Sequence, residues 1–105
     1  MTEATVTKMG TLELTFHTDP GHGWIEVPFK LVKEMDVVLS TFSYAGFDMQ
    51  GDPVVYCEED RDANVAIAAL KKAGYEITIV EKNCNYDSHI RGMAHYYDAR
   101  YERGF

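Results

Sequence analysis

Two histidines and an aspartate crowd into residues 16–28, "FHTDPGHGWIEVP", where His17, Asp19 and His22 spell H-x-D-x-x-H. Imidazole and carboxylate are ligands for zinc and iron, so a small metal-dependent hydrolase built on these three residues is one reading. Their spacing is not that of a helix face such as H-E-x-x-H. It straddles a strand end and a turn, so the loop would have to wrap the ion, and no fourth ligand is set by spacing. A second reading gives these residues to turn geometry, with His17 on the outer face beside Trp24. A third makes the turn a recognition loop in which His22 and Trp24 touch a partner.

Carboxylates are densest at residues 57–62, "CEEDRD", where Glu58, Glu59, Asp60 and Asp62 surround Arg61. Like charges this close raise one another's pKa, which suits acid chemistry or a divalent cation. Acidic residues also suit the positive end of a helix, and an anionic cluster can stand in for phosphates before a basic partner. The C-terminal tail, residues 84–105, sets His89, Arg91, His95, Arg100 and Arg103 among tyrosines. Arginine with tyrosine is the composition of protein interfaces and of single-strand nucleic-acid platforms. A tail docked on its own domain, or one that forms a homodimer, fits the same residues. Ser43, Ser88 and Cys84 lack the G-x-S-x-G context of an activated nucleophile. No Walker loop or dinucleotide fingerprint is present, so no cofactor is expected.

The elements that must position these groups follow from periodicity. Residues 12–17, "LELTFH", alternate, with Leu12, Leu14 and Phe16 on one face. "WIEV" over 24–27 does the same, with Ile25 and Val27 inward. Asp19-Pro20-Gly21 between them is a turn signal, because proline presets φ and glycine accepts positive φ. Pro28 is suited to a first helical position, and Leu31, Val32 and Met35 share the buried side of the short helix it opens. Residues 37–47, "VVLSTFSYAGF", read as a strand, 48–52 as a turn, and 53–59, "PVVYCEE", as the partner strand. Asp60 or Asp62 caps a second helix that runs to about Ala73 and stops at Gly74, with Ala66, Ala69, Leu70 and Ala73 on one stripe. "YEITIV" over 75–80 is the last clear strand. The expected fold is α+β, order ββαββαβ: a mainly antiparallel sheet, two helices on one face and an aromatic tail.

A chain of 105 residues supports one core, and residues 1–10 are polar enough to fray. Its 46% apolar and 26% charged residues are those of a soluble globular protein. No apolar run is long enough for a membrane helix and the N-terminus does not read as a secretory signal, so a cytoplasmic location is expected. Cys57 reads as a core residue, and both cysteines as reduced thiols. The net charge is −7, and all of it falls in residues 1–80; residues 81–105 are neutral. That balance disfavours direct nucleic-acid binding through phosphates and allows docking on a basic protein surface.

Three stretches together, "FHTDPGHGWIEVP", "STFSYAG" and "VVYCEEDRDA", with "SHIR" at 88–91, resemble a family of small proteins of bacteriophages and bacterial mobile elements. Its pattern runs H-D-x-G-H-G-W, then S-x-Y-S-Y, Y-L-E-E-D-C-D-A and S-x-I-R. The family cysteine among the acidic residues is Arg61 here, which argues against a thiol nucleophile at that place. Its leucine is Cys57, which suits an apolar role. The resemblance implies an accessory protein, and by analogy an anti-defence protein. The resulting expectation is a non-catalytic binder that inhibits a host nucleic-acid-handling complex, a protein or ribonucleoprotein such as a CRISPR effector. Glu58, Glu59, Asp60 and Asp62 would face its basic residues, and His22, Trp24, Arg91 and Arg100 would add contacts.

Overall fold

The structure, a computed structural model, describes residues 10–98 and residue 100. The alternating runs become β1 (Gly10–Thr18) and β2 (Gly23–Pro28), an antiparallel pair in which Phe16 lies opposite Ile25, His17 opposite Trp24 and Thr18 opposite Gly23. Asp19 builds the turn. Its N–H donates to the His22 carbonyl (2.9 Å), and its Oδ1 accepts the amides of Gly21 (3.0 Å) and His22 (2.9 Å). That is the side-chain turn aspartate favours. Helix α1 (Phe29–Met35) follows at once, with Pro28 at its N-cap, one residue before the helical position expected of it. Leu31 and Val32 are its buried residues.

The remaining elements are β3 (Tyr44–Phe47), β4 (Pro53–Glu58), α2 (Asp62–Lys72), β5 (Tyr75–Asn83), a 3-10 turn over His89–Gly92, and β6 (Ala94–His95). They complete a six-stranded sheet of order β5-β1-β2-β4-β3-β6. The fold is α+β, but the sheet is mixed and not mainly antiparallel: β5 runs parallel to β1 over nine paired residues. The cause lies in the connection. Tight turns reverse a chain, whereas α2 carries it back across the sheet, so the next strand enters in the same direction. The expected order also lacked β6, which the tail adds beside β3.

Both helices cover one face. Leu31 and Val32 of α1 and Ala63, Ala66 and Leu70 of α2 share a core with Leu14, Ile25, Val27, Val55 and Cys57. Trp24, Val54, Tyr56 and Ile90 form a second cluster, because alternation sends Trp24, Val54 and Tyr56 to the opposite face. Ile90, fully buried, belongs to the tail. The tail, through residue 98 and at Arg100, is therefore docked. Its Tyr96 N–H donates to the Ser43 carbonyl (2.8 Å), and Arg100 reaches Asp36 (2.6 Å) and Asp98 (2.9 Å).

Two local expectations are corrected. The strand read over 37–47 is confined to Tyr44–Phe47. Ahead of it, the N–H (2.9 Å) and hydroxyl (2.8 Å) of Ser40 and the hydroxyl of Ser43 all donate to Asp62 Oδ2 instead of entering a ladder. Asp62 is thereby taken up, and neither it nor Asp60 caps α2. Arg61 holds that position without a side-chain bond, and Asp62 is the first helical residue. Gly74 does end the turn, at φ 105°. The fraying expected of residues 1–10 falls, but for Gly10, outside the described residues, as does Arg103.

Candidate functional site

The register between β2 and β4 assembles the site. Trp24 lies opposite Glu58 and Ile25 opposite Cys57. The pairing continues one step, since the Glu59 N–H donates to the Gly23 carbonyl (3.0 Å). Beyond that bond the chain leaves the ladder: the Arg61 N–H donates to the Glu58 carbonyl (3.2 Å), closing a turn. Trp24 and Glu58 share the face away from the helices, and the turns on either side bring His22 and Asp60 beside them. Crowding bears on both glycines beside His22. A Cβ on Gly23 would stand 2.6 and 2.7 Å from the Phe16 ring, and one on Gly21 would stand 2.7 Å from Arg91 Nη2.

These residues line an open pocket of about 370 Å³ together with Phe42, Tyr44, Arg61, Arg91 and His95. The turn, the acidic cluster and the tail, read separately in the sequence, meet there. Its basic groups are engaged. Arg91 holds Asp19 in a two-pronged pair, Nε to Oδ2 at 2.6 Å and Nη2 to Oδ1 at 2.8 Å, and its guanidinium carbon lies 5.7 Å from the Trp24 ring centre. The Arg91 guanidinium and the amides of Ser88, His22 and Gly21 hold the Asp19 carboxyl far below the usual carboxylate range, against the opposing effect of burial. Arg61 lies 4.3 Å over the Phe42 ring. His95 Nδ1 is 2.6 Å from the Thr41 carbonyl. A carbonyl only accepts, so that nitrogen carries the proton. The His95 ring stacks on Tyr44 at 4.6 Å, and Tyr44 meets Trp24 edge-on at 6.2 Å.

The carboxylates are less committed. Glu58 Oε1 accepts the Asp60 amide (3.0 Å), while Oε2 stands 3.8 Å from His22 Nδ1. Burial pushes the Glu58 carboxyl up from its ordinary value. Asp60 is exposed and Glu59 half-buried. Among the described residues, His22, Glu58 and Asp60 have ligand atoms all within 4.8 Å of one another.

The H-x-D-x-x-H reading does not survive this geometry as one site. His17 Nε2 bonds Glu26 Oε1 at 2.8 Å and packs edge-on against Tyr56, in a depression separate from the pocket. Asp19 is taken up by Arg91 and the turn amides. Only His22 remains, and its neighbours are carboxylates of β4 and the loop beyond. The four acidic residues are likewise divided. Asp62 is buried beneath Ser40 and Ser43, and Glu58 is largely covered, so Glu59 and Asp60 carry the outward charge. Trp24, 2% exposed, is the pocket's wall and not the tip of a loop. Arg100 lies elsewhere, in a groove beside α1 with Phe29 and Tyr96. Phe42 and Tyr44 were missed as site residues. They stood in the sequence as strand composition, and only the short β3 turns Tyr44 toward the pocket.

The Ser43 and Ser88 hydroxyls and the Cys57 thiol are structural. Ser43, fully buried, donates to Asp62 and accepts the Glu58 amide (3.0 Å). Ser88 accepts the Ile90 amide (3.2 Å). Burial raises the Cys57 thiol far above its ordinary value, with the Asp62 charge adding to it. Among the described residues no helix is long and apolar enough to cross a membrane. Comparison with protein-family models, curated proteins and solved structures finds no match for this chain.

Proposed function

We propose that this chain is a non-catalytic binding protein that seats a basic side chain of a protein partner in the pocket between the His22 turn and the end of β4. One observation carries the reading. The arginines that line the pocket are already engaged, by Asp19 and by Phe42, while Glu58, Asp60 and the rings of Trp24 and Tyr44 line the same space. Carboxylates and aromatic rings in one pocket suit a lysine or arginine head group. The net charge of −7 favours the approach of a basic surface. The resemblance to phage and mobile-element proteins supports a host complex that handles nucleic acid, such as a CRISPR effector, as the partner. Occupying its phosphate-binding residues in the host cytoplasm would inhibit it.

Trp24 is the sole tryptophan, so its fluorescence reports on the pocket. Titration with a purified CRISPR effector should change that signal, and raising salt past the point where the Debye length is about 8 Å should weaken the response. Reversing both outward charges, Glu59→Lys with Asp60→Lys, should lower affinity at least about tenfold, which is 1.4 kcal/mol, with the circular dichroism unchanged. Binding that ignores both salt and charge reversal would refute the electrostatic reading.

A further inference from the structure

We propose that His22 Nδ1, Glu58 Oε2 and an Asp60 carboxylate oxygen form a binding site for a first-row divalent transition metal ion of the zinc and manganese kind. Glu58 ends β4, and the turn after it and the turn before β2 bring Asp60 and His22 alongside. The Gly23 carbonyl accepts the Glu59 amide between them, and the Asp19 carboxylate fixes the His22 amide at 2.9 Å.

Glu58 supplies the independent observation. Its side chain is only 10% exposed. Oε1 is occupied by the Asp60 amide, but Oε2 accepts no hydrogen bond among the described residues, and its nearest charged neighbour is His22 Nδ1 at 3.8 Å. Holding a largely covered carboxylate with one oxygen unpaired by the protein is costly, and a cation entering from the pocket offsets that cost. Metal–ligand bonds of about 2.0–2.2 Å bring two donors on one ion to within about 4.4 Å of each other. The separation of 3.8 Å already meets that limit. The exposed Asp60 has a carboxylate oxygen within 4.8 Å of the other two donors. One imidazole with two carboxylates suits zinc, manganese or iron better than magnesium or calcium, which take oxygen alone. Three protein donors leave coordination positions open to the pocket.

This inference does not depend on the docking reading, because the isolated chain should load metal with no partner present. The intact, tag-free protein is dialysed against Zn2+ or Mn2+ and the bound metal is counted, with Mg2+ as the contrasting ion. One ion per chain is expected, with affinity for Zn2+ at least about a hundredfold above Mg2+. His22→Ala and Glu58→Gln should each weaken Zn2+ binding tenfold or more, while His17→Ala leaves it unchanged. His22 is half exposed and Gln retains the acceptor for the Asp60 amide, so both variants should keep the metal-free melting temperature. Co2+ gives a second readout: a visible absorption band present in the parent protein and lost in His22→Ala. Absence of saturable binding, survival of binding in both His22→Ala and Glu58→Gln, or loss on His17→Ala alone would overturn the proposal. Glu58 and Asp60 serve both readings, so the ion and a basic side chain compete for them; a chain that loads metal yet binds no partner even when metal-free would leave this site standing and remove the docking function alone.

Discussion

Gly23 leaves space for a hydrogen and little else, because the Phe16 ring lies where a Cβ would go. Gly23→Ala should therefore cost about 2 kcal/mol of stability, the usual scale of overpacking. Gly92→Ala meets nothing within 4 Å and should cost less than about 1 kcal/mol. Urea denaturation of the two variants tests the difference, and equal midpoints would mean that the hairpin yields to the extra methyl. The thiols differ in the same way. Cys57 is buried with its thiol raised by desolvation, whereas Cys84 is partly exposed. The folded protein should react promptly with one equivalent of a thiol reagent, and with a second only after denaturation. At this scale much was legible. Aspartate, proline and glycine each have a local reason to turn the chain, and the apolar reading of Cys57 needed only its neighbours. The loss of the H-x-D-x-x-H site was not legible, because Asp19 is claimed by Arg91, 72 residues away in sequence.

Elements show the same division between local and distant causes. The hairpin, α1, α2 and the start of β5 could be read from alternation, Pro28 and Gly74. The strand assigned to 37–47 failed because its first half is organised by Asp62, some 20 residues further on. Composition rich in valine and phenylalanine describes a buried segment as well as a strand, and nothing nearby says where the Ser40 amide goes. The grouping of His22, Glu58 and Asp60 also depends on how β2 aligns with β4, because that alignment sets the end of β4 beside the turn that carries His22. Asp62 offers the test at this scale. Asp62→Ala removes the acceptor for three donors, the Ser40 amide and hydroxyl and the Ser43 hydroxyl. The expected loss is about 3 kcal/mol, together with faster amide exchange at Ser40. The exposed Asp60→Ala should change metal-free stability by no more than about 0.5 kcal/mol. Similar losses in the two variants would show that the serines find other acceptors.

For the molecule as a whole, the tail is what ties the sheet to the turn before β2. It buries Ile90 against Trp24, pairs Arg91 with Asp19 and lays Tyr96 against Phe29. It closes both faces of the sheet, not one, and burial there has a pH consequence. Desolvation raises Tyr56, with Glu26 adding to the effect, and raises Tyr96, with Asp98 adding to it. An unfolded tyrosine ionises near pH 10. Above that pH the unfolded chain has lost phenolic protons that the folded chain retains, so stability must fall as pH rises. The contribution is complete below the unfolded pKa and diminishes between it and the higher folded value. The net charge of −7 at neutral pH grows over the same interval as lysines discharge, which would destabilise any variant alike. Comparing the parent with a Tyr56→Phe, Tyr96→Phe double variant separates the two effects. Between pH 8.5 and 11 the parent should lose more stability in chemical denaturation, and its phenolate absorbance should show a late step that the double variant lacks. Equal losses would assign alkaline unfolding to the acidic surface alone and leave the two tyrosines without a part in it.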